Sequence, residues 1–140
     1  MIEALSAIGS VFTDPYLLSL IFATTILGVI IGVLPGLGAT TGAALLLPFT
    51  LTMEPVQAIA VLSTIYVSAT FAGSITAILI NTPGTSAAAA TTFDGYPLAQ
   101  KGEAGRALGI AVVSSTVGGV FSVIAVSYTH HRAHETMVDR

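Results

Sequence analysis

The chain contains no cysteine, which excludes disulfides and thiolate chemistry and leaves the redox compartment unread. Charge is almost as scarce. Only 8% of the 140 residues are charged, against about 25% in an ordinary soluble domain. No charge lies between Asp14 and Glu54, between Glu54 and Asp94, or between Arg106 and Arg132. The formal net charge of −3 comes from loops and ends, and no basic patch is available for nucleic acid. Before the tail there is no histidine to partner a nucleophile, so acyl-transfer chemistry has no base. No enzyme is expected. The start, Met1-Ile2-Glu3-Ala4, lacks the basic region of a secretory signal, so the first apolar segment is expected to remain in the mature protein.

What is present is apolar. Hydrophobic residues make up 54% of the chain, more than 140 residues can bury in water. The fold class expected is an all-α integral membrane protein, with transmembrane helices and Pro-Gly-broken or re-entrant half-helix segments. Residues 1–14 carry Ile2, Leu5, Ile8 and Phe12 at helical spacing, which predicts a short interfacial helix ending near Asp14-Pro15. Tyr16 to Leu34 gives 19 uncharged residues, about 28 Å of helix against a hydrocarbon core of about 30 Å. Val56 to Ile80 and Ala107 to Val126 give two further spans.

Two breaks interrupt these runs. The first, Pro35-Gly36-Leu37-Gly38-Ala39-Thr40-Thr41, sits inside 39 consecutive uncharged residues. A span that only crosses lipid has no use for it, because freed backbone groups there need protein or water as partners. Gly36 to Leu47 is either a half-helix of about 18 Å, or part of a helix kinked at Pro48 that continues to Met53 and crosses. A helix starting at Gly36 presents unpaired N–H groups and a positive dipole end to an anion, with the Thr40 and Thr41 hydroxyls beside them. The second break, Asn81-Thr82-Pro83-Gly84-Thr85-Ser86, repeats the pattern 48 positions on. It is either the second half of one site or a polar turn at the membrane surface. Gly28, Gly32 and Gly36 are spaced by four, a pattern that lets membrane helices pack closely. Packing accounts for Gly28 and Gly32; two breaks in succession exceed it. No Lys or Arg falls within the spans, so an anion would be held by N–H groups and hydroxyls, or by basic residues from elsewhere.

Asp94-Gly95-Tyr96-Pro97 reads as a turn, with Pro97 opening a one-turn helix that Gly102 closes. Asp94 is then a surface turn residue, although intramembrane carboxylates often move protons. Glu54 before Pro55 reads as an interface residue. Lys101 and Arg106 place their loop on the cytoplasmic side by the positive-inside tendency. Residues 127–140 shift abruptly in composition and hold all three histidines. They read as an unrelated or artefactual end to a domain covering 1–126. His131 and His134 are three apart, but the zinc signature His-Glu-x-x-His is absent.

The motifs Gly32-Val33-Leu34-Pro35-Gly36-Leu37-Gly38, Ala44-Leu45-Leu46-Leu47-Pro48, Asn81-Thr82-Pro83-Gly84 and Asp94-Gly95-Tyr96-Pro97-Leu98-Ala99 occur in that order. Together they resemble the large membrane subunit of tripartite tricarboxylate transporters (TctA-type), of which 1–126 looks like the N-terminal quarter to third. The resemblance implies import of carboxylates such as citrate across the bacterial inner membrane. It implies a proton or sodium gradient as the driving force, with no cofactor beyond that coupling ion. It also implies a small membrane subunit and a periplasmic solute-binding protein as partners. The competing expectation is a non-transporting membrane scaffold whose glycines serve only helix packing.

Overall fold

A computed structural model describes residues 13–138, with side chains through Val126 and at Thr129. The interfacial helix expected over 1–14 therefore lies almost wholly outside the described residues, as do the side chains of the tail histidines. Five α-helices are described: α1 Pro15–Val33, α2 Gly38–Thr50, α3 Pro55–Ile80, α4 Thr91–Gln100 and α5 Ala104–Val138. A 3-10 turn, Ser86–Ala90, leads directly into α4. No strand occurs among the described residues. Three helices, α1, α3 and the 104–126 part of α5, are long and apolar enough to cross a membrane. The all-α membrane class holds.

Local chemistry sets the helix ends. The Asp14 carboxylate accepts from the N–H groups of Tyr16, at 2.9 Å, and Leu17, at 3.3 Å, with Pro15 in the first turn. Asn81 ends α3 in the left-handed conformation, φ 56°, and the N–H groups of Asn81 and Thr82 both donate to the Thr76 carbonyl. At the end of α4, Gly102 (φ 83°) and Glu103 donate to the carbonyls of Ala99 and Leu98, a Schellman close that favours glycine. One expectation fails here. Asp94 to Pro97 is not a turn, because all four residues lie inside α4. The 3-10 turn delivers an already wound chain to Thr91, and Gly95 packs flush on Ile78. Pro97 then costs one backbone bond instead of opening a helix.

The core sits on α3, where Ile65, Ala69, Ala72, Ala77 and Ile78 are 0% exposed. Successive contacts show how α1 lies on it. Gly28 meets Ile65 and Ser68, and Gly32 meets Ala69. The two helices run parallel, and α1 stops beside Ala69, about 16 Å short of Ile80 at 1.5 Å per residue. The four residues 34–37 reverse the chain, and α2 descends to Thr50, with four residues between it and the start of α3. At 13 residues it is about 20 Å long. It runs through Pro48 and stops three residues before Met53, and α1 and α2 form a hairpin with its tip beside the middle of α3.

A second hairpin enters from the other end. Beyond Ile80 the chain doubles back, and the Gly84 N–H donates to the Gly73 carbonyl at 3.2 Å. Ala87 and Ala88 reach the level of Tyr66 and Val67, and α4 then carries the chain outward past Ile78. Both tips lie beside the middle of α3.

The spacing of Gly28 and Gly32 is indeed used for packing, but unequally. A Cβ on Gly28 would meet mainly the Ser68 hydroxyl, a side chain able to rotate, whereas one on Gly32 would meet the Ala69 backbone, including Cα at 2.6 Å. Gly32→Ala should therefore lower stability by about 1–3 kcal/mol, the usual overpacking range, and Gly28→Ala by clearly less. Thermal unfolding of the two variants in detergent checks the order.

Candidate functional site

The two tips enclose a cleft of about 270 Å³. From the first tip it is lined by Gly36, Leu37, Gly38, Ala39, Thr40 and Thr41, and from the second by Gly84, Thr85, Ser86 and Ala87. The two Pro-Gly motifs, 48 residues apart, thus share one cavity. Of the residues expected there, Pro35, Asn81, Thr82 and Pro83 do not line it. They shape the backbone instead: Asn81 terminates α3, and Pro83, which has no N–H, precedes the buried Gly84. Sequence reasoning missed Tyr66 and Thr70, which form the cleft wall from α3. The available signal was two hydroxyl residues one helical turn apart within an apolar span.

Among the described residues, no charged side chain lines the cleft. Its polar character comes from backbone and hydroxyls. Helix α2 begins there with no side-chain cap, so its first N–H groups and the positive end of its dipole face the opening. Gly36 and Gly38 have φ values of 93° and 59°, which favour glycine over residues bearing a Cβ. A Cβ on either would meet nothing within 4 Å. Their requirement is conformational, not steric. The Thr70 hydroxyl is spent on the Tyr66 carbonyl at 2.7 Å. The Thr85 hydroxyl is buried with no partner among the described residues, a state that costs about 1–3 kcal/mol when left so.

The glycines on the floor of the cleft do a different job. A Cβ on Gly84 would strike the Gly32 carbonyl and come within 2.9 Å of the Gly73 Cα, and one on Gly73 would come within 2.9 Å of the Thr85 N. Three backbones from α1, α3 and the second tip touch here. Only glycine permits this approach.

Residues 18–133 match the family model described as "Tripartite tricarboxylate transporter TctA family". The chain belongs to the TctA family. The matched region includes both tips and every residue of the cleft. This TctA-family chain is also 46% identical over 106 residues to an uncharacterized 52.8 kDa protein in the TAR-I ttuC' 3'region of Agrobacterium vitis. That alignment covers 76% of the chain and 21% of the relative, so the chain spans about a fifth of the relative's length. No solved structure matches it.

Proposed function

We propose that the chain contributes part of the substrate site of a secondary active transporter that imports tricarboxylates or related carboxylates. A proton or sodium gradient across the bacterial inner membrane would drive it, and a small membrane subunit and a periplasmic solute-binding protein would be its partners. One observation carries the reading: both broken segments, which simple spanning does not need, converge on one cleft beside the middle of α3. Half-helix termini placed in this way recur in secondary transporters, where they hold anionic groups. With no charge in the cleft, the N–H groups at Gly38 to Thr40 and the hydroxyls of Thr40, Thr41, Tyr66 and Ser86 are the donors for a carboxylate. Further donors belong to the part of the full-length subunit beyond this segment.

The scaffold reading accounts for Gly28, Gly32, Gly73 and Gly84, which all pack. It does not account for Gly36 and Gly38, which pack against nothing yet hold the backbone that starts α2. Introduced cysteines offer a direct test, since this segment has none of its own and any in the rest of the subunit can be replaced. In the full-length subunit, Thr41→Cys and Ser86→Cys should each react with a hydrophilic maleimide, and citrate should slow both reactions severalfold. Thr52→Cys, beyond the other end of α2, should react at the same rate with or without citrate. Equal rates with and without a panel of carboxylates at positions 41 and 86 would sink the assignment.

A further inference from the structure

A second cavity, of about 350 Å³, lies apart from the cleft, between α3, α4 and α5. Asp94 is its single charged residue, and Ser74, Thr91, Ser114 and Ser115 bring hydroxyls to it from all three helices. Many helical hydroxyls elsewhere, though not all, fold back onto the preceding turn. Thr24, Thr25, Ser68, Thr70 and Thr116 donate to the carbonyl four residues earlier at 2.6–2.8 Å. The four hydroxyls in the cavity and the Asp94 carboxylate make no side-chain hydrogen bond among the described residues.

Two ordinary roles for Asp94 are closed off. It is not capping a free helix start, because the 3-10 turn runs into α4 and the Thr91 N–H already donates to the carbonyls of Ala88 and Ala89. Nor is it neutralised by a basic neighbour. The Arg106 guanidinium is held by Glu103 at 2.9 Å, and Lys101 forms no ion pair among the described residues. The placement of Asp94 is nevertheless fixed. Gly95 beside it packs on Ile78 so closely that a Cβ would come within 2.7 Å of Ile78 Cγ1. Asp94 is exposed, with Ser114 and Ser115, at the mouth of the cavity, and an ionisable side chain facing a cavity in a membrane protein is a candidate functional group.

We infer that this cavity binds a sodium-sized monovalent cation, with the Asp94 carboxylate as counter-charge and the hydroxyls of Ser74, Thr91, Ser114 and Ser115 as neutral oxygen donors. All the side-chain donors are oxygen, which suits a hard cation. There is one negative charge, which balances a monovalent ion, whereas calcium sites gain affinity by gathering carboxylates. The volume leaves room for the ion to keep several waters. The inference rests on the reading of the protein as an ion-driven carrier and assigns where the driving ion sits.

The test uses the purified full-length subunit in detergent, with thermal unfolding followed against sodium chloride and against choline chloride at equal ionic strength. Sodium should raise the midpoint saturably and choline should not. Asp94→Asn should unfold like the parent in choline but need at least about tenfold more sodium for half-saturation, equivalent to about 1.4 kcal/mol. Ser114→Ala combined with Ser115→Ala should shift in the same direction, and this pair also serves if Asp94→Asn does not fold. Ser122→Ala, on α5 outside the cavity, should leave the sodium response unchanged. No sodium-specific shift in the parent overturns the inference, as does an unchanged half-saturation in both variants, or a shift that follows pH alone. Citrate protection of Thr41→Cys, measured on the same preparations, reports the cleft separately. Protection without any sodium effect rejects the cation site and leaves the cleft standing.

Discussion

Gly84→Ala should abolish uptake by the full-length subunit and lower the yield of folded protein, although it adds a single methyl group. The methyl would point between two backbones, striking the Gly32 carbonyl and lying 2.9 Å from the Gly73 Cα. Neither can rotate away as a side chain does. To make room, the second tip has to lift off α1 and α3, which breaks the 3.2 Å bond from the Gly84 N–H to the Gly73 carbonyl. A freed carbonyl at membrane depth costs several kcal/mol, on top of about 1–3 kcal/mol for overpacking. The same displacement withdraws Thr85 and Ser86 from the cleft. Size-exclusion profiles and citrate uptake in proteoliposomes are the measurements. A monodisperse Gly84→Ala protein with parental uptake would show that the three backbones do not touch as described.

Gly36 and Gly38 should behave in the opposite way, losing activity without losing the fold. A Cβ at either position meets no neighbour within 4 Å, so a side chain here starts into open space and membrane insertion should be normal. The cost is conformational: at φ 93° and 59° a β-branched residue is a strong outlier. The chain relieves this by rewinding the tip, which moves the first N–H groups of α2 away from the opening. Gly36→Val and Gly38→Val should each reduce uptake at least about a hundredfold, corresponding to a loss of about 2.7 kcal/mol of binding or barrier energy. Asparagine tolerates the left-handed region well. Gly38→Asn should therefore retain much of the activity that Gly38→Val loses. Equal loss in both variants would mean that the glycine is needed for the room it leaves, not for its φ.

Several features were legible in the residues themselves. Pro15 with Asp14, Pro55 after Glu54, and Gly102 after the Leu98 turn mark helix ends through local chemistry, and the structure places ends there. The two Pro-Gly breaks were legible for the same reason, since proline and glycine act on the chain within one turn. The turn read at Asp94 to Pro97 was wrong because a distant contact, Gly95 on Ile78, outweighs the local preference of Asp, Gly and Pro. Tyr66 and Thr70 were passed over because nothing local tells which side of an apolar span faces a cleft.

The sequence by itself determined that this is a helical membrane protein and where most of its long helices begin or end, because charge depletion, segment length and Pro-Gly chemistry act locally. Family membership followed from the same residues. Only the tertiary structure decided what the breaks are for. The Pro-Gly break ends α1, but close packing of Gly28 and Gly32 on Ile65 to Ala69 fixes its register and so sets that end beside the middle of α3. That register, together with the approach of Gly84 to Gly32 and Gly73, sets two tips 48 residues apart against one another. Such contacts depend on which backbones can come within van der Waals distance across helices, and no local pattern encodes that. The Pro35 to Thr41 stretch is a break by its own chemistry and one wall of a cleft only by packing.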